Sequence, residues 1–172
     1  MANVNNITRL LESRKISYRS FELSDEKRGA RETARLLGVD PELVYKTIVV
    51  TRAKGRPILA VIPGPNRVDL KLLAMALGEK KVTLPSQREA EELTGLQAGG
   101  ISPLALINKG FQVVIDSAAK ARPEAASRDA VREIHVSGGQ RSLNIRLPVD
   151  ALADLTHARF AEVSVPDLED SG

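Results

Sequence analysis

Lys46 is the side chain in this sequence best placed to do chemistry. It stands in VYKTIVVTR (44–52), whose β-branched run reads as a strand. Alternate side chains of a strand share a face, so Lys46 lies with Val44, Ile48 and Val50, while Tyr45, Thr47 and Val49 lie opposite. A lysine within an apolar row either forms a pocket floor or snorkels past a sheet edge, and strand lysines more often end in solvent. Turned inward, it must meet an anion or a polarised carbonyl, because an unpaired buried charge is costly.

Two glycine-bearing segments offer partners for such a lysine. In TGLQAGGISP, Gly99 and Gly100 remove side chains where a backbone could approach a ligand and offer amide hydrogens to an oxyanion; the bland alternative is a turn before Pro103. Ser137, Gly138 and Gly139 sit between two strand-like runs, which is a hairpin turn in its plainest form and a phosphate- or ribose-holding rim in its functional one. Asn144 alternates away from Leu143 and Ile145; it cannot act as a general base, but it can orient a water or an amino group. His135 and His157 lie in different elements without metal-ligand spacing, so both read as structural. The chain has no GxSxG, Walker loop or GxGxxG, hence no recognisable nucleophile elbow, nucleotide loop or cofactor fingerprint.

Composition narrows the classes further. The absence of cysteine excludes disulfides, zinc-thiolate sites and a cysteine nucleophile. Basic residues number 25 against 22 acidic, and the signs are interspersed, so a nucleic-acid partner would be held locally or with help from another protein. Aromatic residues are only 3% of the chain, which argues against a platform of stacked bases. The N-terminus lacks the charged-then-apolar pattern of a signal peptide, and no apolar run could span a bilayer, so a cytoplasmic protein that avoids membranes is expected.

The elements that must position these residues follow from periodicity and caps. Helices are expected near 4–15, 31–37 (stopped by Gly38), 70–77 (Asp69 to Gly78), 87–94 (a Ser86/Glu89 capping box to Gly95) and 149–155. Strands are expected at 16–21, 44–52, 57–63, 81–84, 111–116 and 159–165, with a hairpin over 132–147. Hairpins mixed with crossovers imply an α/β fold with a mixed sheet and helices packed around it. The polar stretch 119–130 reads as a surface loop and 166–172 as a frayed tail. With no repeat and no linker, residues 1–172 read as one domain.

Taken together, LGVDPELVYKTIVV, VDLKLLAMALGEKKV, TGLQAGGISPLA, VVIDSAA and HVSGGQRSLNIRLPVDALADLTHARFAEV resemble, in order, the YbaK/EbsC family, which also occurs as the editing insertion of bacterial prolyl-tRNA synthetases. The resemblance covers about 16–163, and VYKT, GGISP and VSGG-x-R are specific in combination. It implies a barrel-like curved sheet surrounded by helices, and a metal-independent aminoacyl-tRNA deacylase that needs no cofactor. The form nearest these motifs acts in trans on Cys-tRNA(Pro). It also implies the acceptor end of tRNA(Pro) as ligand and prolyl-tRNA synthetase as a partner.

The family's strand lysine falls on Lys46, its glycine loop on Gly99, Gly100 and Ile101, its serine-glycine turn on Ser137 and Gly138, and its early tyrosine, across a gap, on Phe21. Thr47 and Ser102 belong to the same motifs and are grouped with Asn144 as substrate-binding residues. Asn144 departs from the family pattern, which has aspartate there. In the implied chemistry, Lys46 holds the terminal adenosine phosphate or polarises the ester carbonyl. The Gly100 and Ile101 amides face the oxyanion, and a cysteinyl ester is attacked by its own thiol to give a thiolactone. Other functions compatible with the fold are editing of alanyl or other misacyl-tRNAs, a non-catalytic synthetase- or tRNA-binding module, and a small-molecule esterase.

Overall fold

The computed structural model describes residues 5–121 and 132–168. In chain order the elements are α1 (Asn6–Ser13), β1 (Arg19–Glu22), α2 (Ala30–Leu37), β2 (Tyr45–Arg52), β3 (Ile58–Pro63), β4 (Asn66–Val68), α3 (Leu70–Leu77), β5 (Val82–Thr83), α4 (Gln87–Thr94), β6 (Gln112–Asp116), β7 (Glu133–Ser137), β8 (Leu143–Pro148), α5 (Val149–Thr156), β9 (Arg159–Ala161) and β10 (Ser164–Pro166). The expected caps form. Asp69 accepts from Leu72 N at 3.0 Å, Ser86 from Glu89 N at 3.1 Å, and α4 stops at a left-handed Gly95.

A mixed five-stranded sheet, in the order β5-β2-β3-β6-β9, forms the centre. β2 runs antiparallel to β3 and β5, whereas β3–β6 and β6–β9 are parallel. Residues Ile58 to Ile62 of β3 are all fully buried, as a central strand covered on both faces requires. On one face Tyr45, Val49, Leu59, Val61 and Ile115 pack with Ile134, Val136, Ile145 and Leu147 of an antiparallel three-stranded sheet, β1-β8-β7, and with Leu11 of α1 and Leu152 of α5. On the other face Val50, Ile58, Ala60, Ile62 and Val114 pack with Leu73 and Ala74 of α3. The alternation expected along β2 holds: Tyr45 and Val49 serve the first cluster, Ile48 and Val50 the second.

The ladders do not close into a barrel among the described residues. The two larger sheets instead meet through a single parallel bridge between Val44 and His135. Further differences from expectation have local causes. The run 159–165 divides between two sheets, with β9 beside β6 and β10 beside β4. Asp116 holds the break: its Oδ2 accepts from Val163 N at 3.1 Å and Ser164 Oγ at 2.7 Å, and its Oδ1 accepts from Ala118 N at 2.8 Å. Pro166 is therefore paired with Asn66 rather than frayed. Within the expected surface loop, Ala119 is fully buried in the core, and residues 122–131 lie outside the described residues.

Candidate active site

The outer edge of β2 creates the site. β5 pairs only with Thr51 and Arg52, so no strand ladder covers the edge from Tyr45 to Val50 among the described residues. A cavity of about 370 Å³ lies there. Its floor is the 44–49 segment. Its walls are the 23–29 loop with the start of α2, the start of α4, the 98–101 loop, and the β7–β8 hairpin. Arg28, Lys46 and Arg141 come from three of these segments, and none of the described lining residues is acidic. The chain's overall charge is nearly balanced, so the described lining is more basic than the chain as a whole.

Arg141 braces the glycine loop. Its Nε donates to the Ala98 carbonyl at 2.7 Å, while Ala98 N donates to Glu91 Oε2 at 2.8 Å, so both sides of that residue's backbone are fixed. Gly99 has a φ of +90°, and a Cβ there would stand 3.4 Å from Arg141 Cγ, so the arginine stem lies directly over the glycine. Arg28 fixes the opposite wall. One of its nitrogens donates to the Arg141 carbonyl at 3.0 Å and the other to Ser24, through Oγ at 2.7 Å and through the carbonyl. Lys27 adds a hydrogen bond to Gln87 Oε1 at 2.7 Å, tying this loop to the start of α4.

Behind the hairpin wall lies a buried polar pair. Asn144 and His135 are 4% and 2% exposed, and Asn144 Oδ1 is 2.9 Å from His135 Nδ1. The Phe21 ring lies against the imidazole with centroids 5.5 Å apart. Burial pushes the His135 pKa down, opposed by the hydrogen bond to Asn144. Burial also pushes the Tyr45 hydroxyl up to about 12.

The structure gathers Lys46, Thr47, Gly99, Ile101, Ser137 and Asn144 around the cavity. It places four other expected residues behind the lining. Phe21 does not line the cavity; it packs on His135 and pairs with Asn144 across the β1–β8 ladder. Ser102 is fully buried and its Oγ accepts from Leu104 N at 3.1 Å, a turn-forming role. Gly138 closes the hairpin, donating to the Leu143 carbonyl at 2.8 Å and accepting from Asn5 Nδ2 at 3.1 Å. Gly100 packs its backbone on Gln140, and its amide donates to the Gln97 carbonyl at 2.8 Å, so that N–H is already committed. Arg28 and Arg141 were missed as site residues. Arg141 carried a signal, as the final position of VSGG-x-R, whereas Arg28 sits in a polar loop with no distinguishing pattern.

Among the described residues, no cluster of three or more His, Cys, Asp or Glu side chains could hold a metal, and no helix is long and apolar enough to cross a membrane.

Comparison with known proteins places these features in context. The model of the aminoacyl-tRNA editing domain matches residues 24–143, which include every lining residue of the cavity except Leu23 and Asn144 at its two ends. The chain is 34% identical over 94% of its length, and 94% of the relative's, to EbsC of Enterococcus faecalis, a candidate Cys-tRNA(Pro)/Cys-tRNA(Cys) deacylase. It is 26% identical, over 82% of its length, to 23% of the proline–tRNA ligase of Bacillus licheniformis. Among solved structures, a candidate trans-editing enzyme for prolyl-tRNA synthetase superposes with a TM-score of 0.75 at 25% identity, covering 95% of this chain and 99% of the other.

Proposed function

The chain belongs to the aminoacyl-tRNA editing domain family, and from that premise we propose that it is a trans-editing deacylase that hydrolyses mischarged tRNA(Pro), with Cys-tRNA(Pro) as its main substrate. The observation that carries this reading is the convergence of Arg28, Lys46 and Arg141 on one cavity with no acidic residue among the described lining. An aminoacylated tRNA end combines phosphate oxygens, a ribose and an ester. Cations attract the first, and a partly apolar pocket admits the small side chain.

The ester is more labile than an amide, so positioning and charge stabilisation can carry much of the rate. Lys46 binds the terminal phosphate or the ester carbonyl. The Ile101 amide faces the developing oxyanion, and Thr47, Ser137 and Asn144 hold the ribose and aminoacyl portions. Among the described residues, the lining offers neither a carboxylate nor a histidine as a general base. A cysteinyl ester supplies its own nucleophile: the thiol sulfur attacks the carbonyl carbon, the bond to the ribose oxygen breaks, the thiol proton passes to that oxygen through solvent, and a thiolactone leaves. The work is done on the cytoplasmic pool of charged tRNA, on the acceptor end, beside prolyl-tRNA synthetase and without a metal. The sharing of β2, β3 and β6 between both core clusters supports reading the chain as one domain.

The test is a deacylation panel on preformed Cys-, Ala- and Ser-tRNA(Pro). Cys-tRNA(Pro) is expected to be cleared fastest, because one methylene of shape selection yields only about 1–3 kcal/mol while the thiol adds chemical selection. Equal loss of all three esters at the uncatalysed rate would refute the reading. Loss of Ala-tRNA(Pro) alone would move the substrate to alanine.

A further inference from the structure

We propose that His135 is a positioning residue that fixes which end of the Asn144 carboxamide faces the cavity. Asn144 lines the cavity through β8, and its Oδ1 is 2.9 Å from Nδ1 of His135 on β7. An amide oxygen is acceptor-only, so with Oδ1 as partner the imidazole carries its proton on Nδ1, and the Nδ2 hydrogens are the end of the carboxamide not engaged by His135. A side chain that alone could present either an acceptor or a donor therefore presents a donor. The site addresses a ligand oxygen, such as an ester carbonyl or a ribose hydroxyl, at the point where a carboxylate would address an ammonium.

The pair is built to keep this orientation. His135 is 2% exposed, with the Phe21 ring against one side, and Val44 of the cavity floor is bridged to its backbone. The charged groups that face it are Arg146 on β8 and Glu133 on β7, themselves paired at 3.7 Å. Burial lowers the His135 pKa, so the imidazole stays neutral, and a neutral ring holds one tautomer for one partner.

The catalytic consequence rests on the deacylase reading; the tautomer does not, and the two are measured separately on the full chain. In ¹⁵N NMR of the imidazoles, His135 is expected as the neutral Nδ1–H tautomer near pH 7. Protonation on Nε2 alone would overturn the proposal whether or not the protein deacylates tRNA. In kinetics, His135→Phe keeps a ring of similar size and is expected to lower kcat/KM by about 2- to 10-fold, the worth of one positioning hydrogen bond. Asn144→Asp places a carboxylate against the ring, which raises the His135 pKa, and is expected to add an inflection to the pH profile of kcat/KM that the wild type lacks. Adding His135→Phe to Asn144→Asp should remove that inflection. An unchanged profile in Asn144→Asp, or an inflection that survives the second substitution, would overturn the positioning role. Wild-type protein that clears no aminoacyl-tRNA would defeat the deacylase reading instead, leaving the NMR result to decide the tautomer.

Discussion

The Nε of Arg141 donates to the carbonyl oxygen of Ala98 at 2.7 Å, joining the β7–β8 hairpin to the glycine loop across one corner of the cavity. A charge-assisted bond of this kind is worth about 1.5–3 kcal/mol, and lysine cannot reproduce its direction. Arg141→Lys retains the charge but releases the loop. We expect kcat/KM to fall by about 10- to 150-fold, that range converted to a rate, and the midpoint of thermal unfolding to drop by roughly 3–10 °C. Parallel steady-state kinetics and calorimetry check both.

Two glycines in the same corner should respond differently. A Cβ on Gly138 would lie 2.5 Å from Leu143 Cγ, inside a packed hairpin. Gly138→Ala therefore overpacks the wall and should cost about 1–3 kcal/mol in urea unfolding. Gly99→Ala meets backbone strain at φ +90° beneath Arg141, and should cost about 1–3 kcal/mol too, with activity lost even where the protein remains folded.

Stability should depend on His135 in mildly acidic solution. Burial holds its folded pKa below the ordinary imidazole value of about 6.5, so the unfolded chain binds the extra proton first as pH falls. The unfolding free energy should therefore decline as pH drops below about 6.5 and level off below the folded pKa, with stability rising with pH in that window. Urea titrations at a series of pH values, on wild type and His135→Phe, check this. The part of the slope due to His135 should vanish in the variant.

Asp116 is a structural carboxylate, 4% exposed, that accepts from Ala118 N, Val163 N and Ser164 Oγ. Asp116→Ala leaves those buried donors unmet and should destabilise by about 2–4 kcal/mol. Deacylation by the fraction still folded should be unchanged. A specific loss of kcat in folded protein would mean that the 162–164 segment reaches the site.

The β2 strand with its alternation, the caps of α3 and α4, and the hairpin that contains His135 were legible in sequence, because each depends on neighbours within a few residues. What escaped depends on distant partners. β4 is only three residues long and exists because β10 pairs with it. The His135–Asn144 contact runs diagonally across a ladder that pairs His135 with Arg146, so neither residue's own pattern announces it. Arg28 reaches the cavity through a bond to a residue 113 positions away, which no local spacing encodes. Gly100 and Ser102 shared a motif with cavity residues yet turned to backbone packing, because a tight loop cannot aim every residue at one ligand.

The central claim is that Lys46 and the cations around it work on the ester of a mischarged tRNA. Single-turnover deacylation of preformed Cys-tRNA(Pro) by wild type and Lys46→Ala, at matched folded concentrations, tests it most directly. The account predicts that the alanine variant loses about 10²- to 10³-fold of the rate, as removal of a preorganised charge-stabilising group does elsewhere. Equal rates for the two proteins would contradict it.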